Sequence, residues 1–253
     1  KTFCRMPFFN IINTPADDRL DSYQLTRRRG QRTISLRLSP DGTLRVSAGR
    51  WAPRYEIERF LRRQSDWIAR HRAKLHEIGR RHPRKTFSDG ERFLVHGTEV
   101  PLRVVPAPQP VQTASCEMRE GELRVTARPG ASREEIGSAL REWYGRQAFE
   151  RVSAIAGTVS PRIGVAPRRI SVGDQKTRWG SCSSRGSLRF NWRLILMPMG
   201  CLEYVVVHEL AHLKVLDHSP RFWRVVGSIL PDYKNRQKIM RRFAAGFGFD
   251  GFA

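Results

Sequence analysis

Apolar and polar positions alternate through TISLRLSPDGTLRV, residues 33 to 46, on either side of Asp41-Gly42. A period of two belongs to strands, so the segment predicts a β-hairpin. Ile34, Leu36 and Leu38 then share one face, and Leu44 and Val46 share another. The period changes in APRYEIERFLRRQSDWIARHRAKLHEIG, where Ile57, Phe60, Leu61, Trp67, Ile68, His71, Leu75 and Ile78 recur at helical spacing. One long helix is expected, with Pro53 in its first turn and Gly79 at its end. His71 and His76 lie in it without an acidic ligand cluster and read as interface or solvated residues.

Further along, RFLVHGTEVPLRVV predicts two strands joined at His96-Gly97. PAPQPVQTASCEMREG reads as a Pro-rich surface loop, and ELRVTA as a short strand. A domain boundary is expected near Pro129-Gly130. Ser132 and Glu135 then form a capping-box pattern opening a helix with Ile136, Leu140, Trp143, Phe149, Val152 and Ile155 on its apolar side. RRISVGDQKTRWGSCSSRGSLRFNWRLILMP reads as a small antiparallel sheet turning at Ser184-Arg185-Gly186. Gly200 to Lys214 is helical, Ser219-Pro220 caps another helix, and Pro231-Asp232 starts a last, basic one. The layout is α+β.

Composition narrows the classes. With 253 residues, 40% hydrophobic and 28% charged, the chain can bury a core and is not a disordered polymer. Cys4, Cys116, Cys182 and Cys201 are scattered without a CxxC pair. That argues against a disulfide framework or thiolate zinc site and suits a reducing, cytoplasmic setting. No apolar run is long enough to cross a bilayer. The opening KTFCRMPFFNIINTP has a short apolar patch but a weak h-region and no small-residue cleavage site. Lys plus Arg number 46 against 24 acids, a net charge of +22. Residues 1 to 90 hold 21 basic and 9 acidic residues, or +12. Such a charge attracts polyanions, nucleic acid among them; a solubilising surface is an equal reading.

The chemistry concentrates in VVVHELAHLKVLDHSPRFW, residues 205 to 223. On a helix His208 and His212 stand one turn apart on one face, so both imidazoles can point at one centre. Zn²⁺ accepts such nitrogens at about 2.0–2.1 Å. Glu209, beside the first, is placed to take a proton from a zinc-held water, whose pKa falls to about 7. A five-residue HExxH pattern arises by chance, so a third ligand is needed. His218 supplies one, from a turn folding back. Its spacing equals that of metzincins, but Val215 stands where their glycine turns, and no methionine turn follows. A β-branched valine should let the helix run on before the chain reaches His218.

RWGSCSSRGSLRFNWRLILMP, VVVHELAHLKVLDHSPRFW and PDYK together resemble the YgjP-like metallopeptidase family, bacterial metal-dependent hydrolases related to the SprT/Spartan and WLM groups. RTISLRLSPDGTLRVSA and EIERFLRRQSDWI look like that family's usual beginning. The resemblance covers roughly residues 26 to 242. It implies a zincin-like core of helix, small mixed or antiparallel sheet, HExxH helix and C-terminal helices, after a β-rich N-terminal region with one long helix. It implies zinc held by His208, His212 and His218, with Glu209 as general base. The expected divisions are an extension over 1–25, the N-terminal region over 26–129, a metallohydrolase core over 130–245 and a tail over 246–253.

Other roles stay open. An edge strand along the cleft could pair with a peptide, and TRWGSC and LRFNW are the candidates. Trp179 and Trp192 are either core aromatics or substrate contacts. Arg178 either clamps an anionic group or sits on the surface. Tyr233 either donates to an oxyanion or caps the last helix. Asp217 is a candidate to orient a ligand histidine. The leading expectation is a zinc-dependent peptidase acting on peptide or protein, with nucleic acid as a partner suggested by charge. Alternatives are a nucleotide pyrophosphatase, disfavoured by a histidine-rich site without a Walker loop, and a nucleic-acid-binding module with a structural metal.

Overall fold

The computed structural model describes residues 23–39, 42–81, 85–109, 111–175 and 178–246. The chain forms two compact units that divide between residues 84 and 85. Among the described residues no helix is long and apolar enough to cross a membrane. The expected extension over 1–25 and tail over 246–253 lie mostly outside the described residues, Gly246 being the last residue of the final helix.

In the first unit, strands β1 (Tyr23–Arg28), β2 (Ser35–Leu38) and β3 (Leu44–Gly49) form a sheet in the order β1-β3-β2. β1 runs parallel to β3 and β2 antiparallel. The predicted hairpin is β2 and β3, although Asp41 at its turn is outside the described residues. Leu36 pairs with Val46 and Leu38 with Leu44. Cross-strand partners share a face, so the two apolar sets expected on separate faces are one set. Leu44, Val46 and Ala48 bury against Ile57, Leu61 and Ile68, with Ile34, Leu36 and Leu38 packed alongside.

The expected long helix is two: α1 (Arg54–Arg63) and α2 (Ser65–Arg81). Gln64 breaks them with φ −100° and ψ 8°, its N–H shared between the carbonyls of Phe60 and Leu61. Ile57, Leu61 and Ile68 keep their spacing through the break, so periodicity does not register the bend at a polar residue. His71 stacks on Trp67 with centroids 3.9 Å apart.

The second unit begins with a sheet of β4 (Arg92–Val95), β5 (Thr98–Pro106), β6 (Ser115–Arg119) and β7 (Glu122–Ala127), ordered β4-β5-β7-β6. His96 and Gly97 both take positive φ, 53° and 83°, closing the β4–β5 turn. Strand β6 occupies the end of the segment expected to be loop. It pairs antiparallel with β7 across Glu120-Gly121, another turn of positive φ.

Helix α3 (Arg133–Ile163) opens on the expected capping box: the Glu135 N–H donates to Ser132 Oγ and the Ser132 N–H to the Glu135 carboxylate. It packs on that sheet. Tyr144 Oη donates to the Leu94 carbonyl at 2.9 Å, Arg146 to the Cys116 carbonyl, and a Cβ on Gly137 would lie 3.1 Å from the Phe87 ring. Pro129-Gly130 is therefore a turn inside this unit. The boundary expected there falls instead at 84/85, because β4–β7 share a core with α3.

Next come β8 (Arg169–Gly173), β9 (Gly180–Cys182) and β10 (Ser187–Asn191), ordered β8-β10-β9. β8 lies parallel to β10 and β9 antiparallel, so the sheet expected to be antiparallel is mixed. β9 forms an edge and β10 the centre, which leaves TRWGSC, and not LRFNW, as the edge candidate. A 3-10 turn at Trp192–Leu196 leads into α4 (Met199–Ala211), then α5 (Pro220–Ile229) and α6 (Tyr233–Gly246). From Leu202 to Ala211 every residue of α4 except Glu203 is buried. The fold is α+β, with small mixed sheets and several helices.

Candidate metal centre

α4 carries His208 and Glu209, and His212 stands at its C-terminal cap. His208 and Glu209 are each 2% exposed and His212 6%. The helix stops at Ala211, earlier than Val215 led us to expect. Leu213 and Lys214 continue as tight turns, and the Val215 N–H donates to the Ala211 carbonyl at 2.9 Å. That short extension brings the Val215 carbonyl 3.1 Å from His212 Nδ1. The chain then doubles back, and His218 returns to α4.

The three rings converge. One nitrogen from each of His208, His212 and His218 lies within 4.8 Å of the others, and these residues form a group able to hold a metal ion. His208 Nε2 and His218 Nε2 are 3.0 Å apart. Two nitrogens bound tetrahedrally at zinc-like distances sit roughly 3.3 Å apart, so the spacing is near that of co-ligands. A carbonyl only accepts, so His212 Nδ1 carries its proton and Nε2 presents a lone pair. That Nε2 is buried with no hydrogen-bond partner. His208 Nδ1 meets Tyr204 Oη at 3.2 Å, and Gln237 Nε2 of α6 donates to the same oxygen at 2.8 Å.

Phe222 of α5 forms a wall, with its ring centroid 4.9, 4.5 and 4.7 Å from those of His208, His212 and His218. Burial holds all three imidazoles below their ordinary range. For His212 the Val215 carbonyl partly offsets this, and for His218 the Asp217 carboxylate does. Neutral imidazole is the ligand form.

Glu209 points toward β9. A Cβ on Gly180 would fall 2.6 Å from Glu209 Cγ and 2.7 Å from Oε1. Glycine is thus what lets strand and carboxylate approach so closely. Burial pushes the carboxyl up to about 8, and the Arg178 guanidinium pulls it partly back. Its Oε1 is buried with no hydrogen-bond partner. A buried carboxylate oxygen without a hydrogen-bond partner, on the residue after His208, fits a polar group or cation near it.

The other sequence candidates are placed as follows. Arg178 stands just before β9, near enough to act on Glu209. Trp179 is 1% exposed and Trp192 6%, so both are packed in the core and offer no contact surface. Tyr233 begins α6 and stacks on Trp223, centroids 5.2 Å apart; the Trp223 ring in turn lies 5.7 Å from that of His218. Asp217 accepts the Ser219 N–H at 3.1 Å, fastening the turn before α5. It therefore does not orient a ligand ring through a hydrogen bond among those seen. Tyr204, Gly180, Phe222 and Gln237 escaped the sequence reading. Tyr204 alone left a signal, four residues before His208 on one helix face.

The family described as YgjP-like, metallopeptidase domain, matches residues 32–243. No curated protein matches the chain. The crystal structure of the metallopeptidase zymogen of Pyrococcus abyssi abylysin is similar at 23% identity and a TM-score of 0.33, covering 36% of this chain and 90% of that one. With the family match spanning both units, the chain belongs to the YgjP-like metallopeptidase family and is, at that level, a metal-dependent peptidase.

Proposed function

We infer that the protein is a zinc peptidase in which His208, His212 and His218 hold the ion and Glu209 is the general acid–base. The observation that carries this is the convergence of three neutral imidazoles, with a buried carboxyl oxygen lacking a hydrogen-bond partner on the residue next to His208. Three nitrogen ligands suit zinc, whose catalytic sites keep a fourth position open, whereas Mg²⁺ and Ca²⁺ prefer oxygen. Bound there, zinc would supply Lewis acidity toward a carbonyl and a readily ionised water.

The chain's own groups supply the rest. His212 donates Nδ1–H to the Val215 carbonyl, which fixes its ring and tautomer. Tyr204, held by Gln237, orients the ring of His208. Glu209 ionises when a cation lies nearby, because opposite charge offsets the burial that raises its pKa. Its carboxylate then takes a proton from the attacking water and returns it to the departing amine. Arg178 favours the ionised form. Phe222 limits water around the rings. β9, paired on one side only among the described strands, offers backbone to an extended peptide.

Metal analysis should find about one zinc per chain, and His212→Ala should abolish it. Glu209→Gln should retain zinc and fold yet lose peptide cleavage. Full turnover in that variant would refute the assignment.

A further inference from the structure

The sheet β8-β10-β9 has two faces. Leu188 and Phe190 are buried on the inner one, where Gly180 meets Glu209. The outer face is built from arginine and serine. Its register sets Ser171, Arg189 and Ser181 in one row across the three strands. Arg169 pairs with Ser187 in the next, and the Ser183 N–H reaches the Ser187 carbonyl. With Arg178 these residues line a concavity of about 630 Å³ that holds three arginines and no acidic residue. The nearest carboxylate along β8, Asp174, is engaged by Arg193.

Arg189 has a built seat. A Cβ on Gly173 would fall 2.5 Å from Arg189 Nη2 and 2.9 Å from Nε, so the guanidinium lies flat over bare backbone. The concavity also adjoins the catalytic side. Cys182 and Arg178 line it, and both act electrostatically on or with Glu209.

We propose that this arginine–serine concavity is a specificity subsite for an acidic side chain of the peptide substrate. The inference rests on the peptidase reading above. A peptide paired along the free edge of β9 directs alternate side chains to the outer face, beside Ser181 and Arg189. Gly180, the next residue, touches Glu209. At about 3.3 Å per residue, the acidic side chain then sits within about three residues of the bond cut. Arginine forks match carboxylate geometry, and the Ser181 and Ser187 hydroxyls can donate to the remaining lone pairs, Ser171 Oγ being engaged with the Leu188 carbonyl. A concave site against an edge strand favours a peptide side chain over a polyphosphate backbone, which needs an extended track.

The test uses zinc-loaded full-length protein and quenched peptides in which a single Glu or Gln is moved through the positions around the scissile bond. At one position kcat/KM should favour Glu by about tenfold, as one charge-assisted contact gives, and the preference should shrink with salt. Arg189→Gln should bring the Glu/Gln ratio to about 1, through KM rather than kcat. Gly173→Ala displaces only the mobile end of Arg189, so it should lower the ratio without unfolding the chain. Binding of the same peptides to zinc-loaded Glu209→Gln protein, read by fluorescence anisotropy, gives the answer without turnover. If no peptide is cleaved but Glu-peptides bind in an Arg189-dependent way, the subsite stands and the peptidase reading falls. Equal binding of Glu- and Gln-peptides overturns the proposal. So does Arg189-dependent binding of a single-stranded oligonucleotide that acidic peptides fail to displace.

Discussion

Replacing Gly180 by alanine tests how closely strand β9 and the Glu209 carboxylate must meet. The added methyl would lie 2.6 Å from Glu209 Cγ, 2.7 Å from Oε1 and 2.9 Å from Cδ. It falls about 0.8 Å short of the 3.4 Å at which ordinary van der Waals contact begins. Two of those atoms are not the free end of a side chain, and Glu209 is 2% exposed, so it has little room to swing. Either the carboxylate or β9 must retreat by most of an ångström. Misplacing a reacting group by 1 Å costs on the order of 10²-fold in rate, and an extra methyl in a packed site costs about 1–3 kcal/mol of stability.

The three atoms nearest that methyl all belong to Glu209 and none to the three histidines. Gly180→Ala should therefore keep about one zinc per chain while kcat for a peptide substrate falls roughly 10²-fold. Zinc content by mass spectrometry and steady-state kinetics on the same preparation separate the two effects. Cleavage within about threefold of the parent, at full zinc occupancy, would refute the claim that this contact positions the base.

Chelator-stripped protein should lose stability between pH 7 and 8. Glu209 titrates at about 8 in the fold against an ordinary 4.5, so the folded state holds a proton the unfolded state lacks, and its contribution fades as pH rises to 8. The lowered histidines work oppositely: their contribution is complete above their ordinary 6.5 and is lost as pH falls. Only the Glu209 slope then remains of these four, about 1 kcal/mol from pH 7 to 8, and urea titrations should show it vanish in Glu209→Gln. Tyr204→Phe should weaken zinc affinity by about tenfold or more, read by competition with a chromogenic chelator, since His208 loses its orienting partner. Ser132→Ala should lower stability by about 1 kcal/mol in urea, through the α3 cap, and leave zinc binding unchanged.

The candidate metal site is legible in the sequence because its residues are local. His208 and His212 are one helical turn apart, and His218 follows within six residues, so spacing alone suggests a common centre. Gly180 was silent: its role lies in a contact between a strand and a helix residue 29 positions later. Gln237 reaches Tyr204 from a third helix, which no local pattern encodes. Alternation marked the hairpin but not the shared face, because register depends on the turn. Pro129-Gly130 looked like a boundary because a turn signal does not tell whether the flanking elements share a core. Val215 misled for a related reason. Helix propensity favours continuation, but the returning chain is held by the Val215 carbonyl on His212 and the Asp217 carboxylate on Ser219.

Zinc X-ray absorption on the metal-loaded parent protein puts the central claim to the most direct trial. The first shell should comprise three imidazole nitrogens at about 2.0–2.1 Å and one further oxygen scatterer, with no sulfur. A shell containing cysteine sulfur, or one with two imidazoles or fewer, would contradict the centre built from His208, His212 and His218.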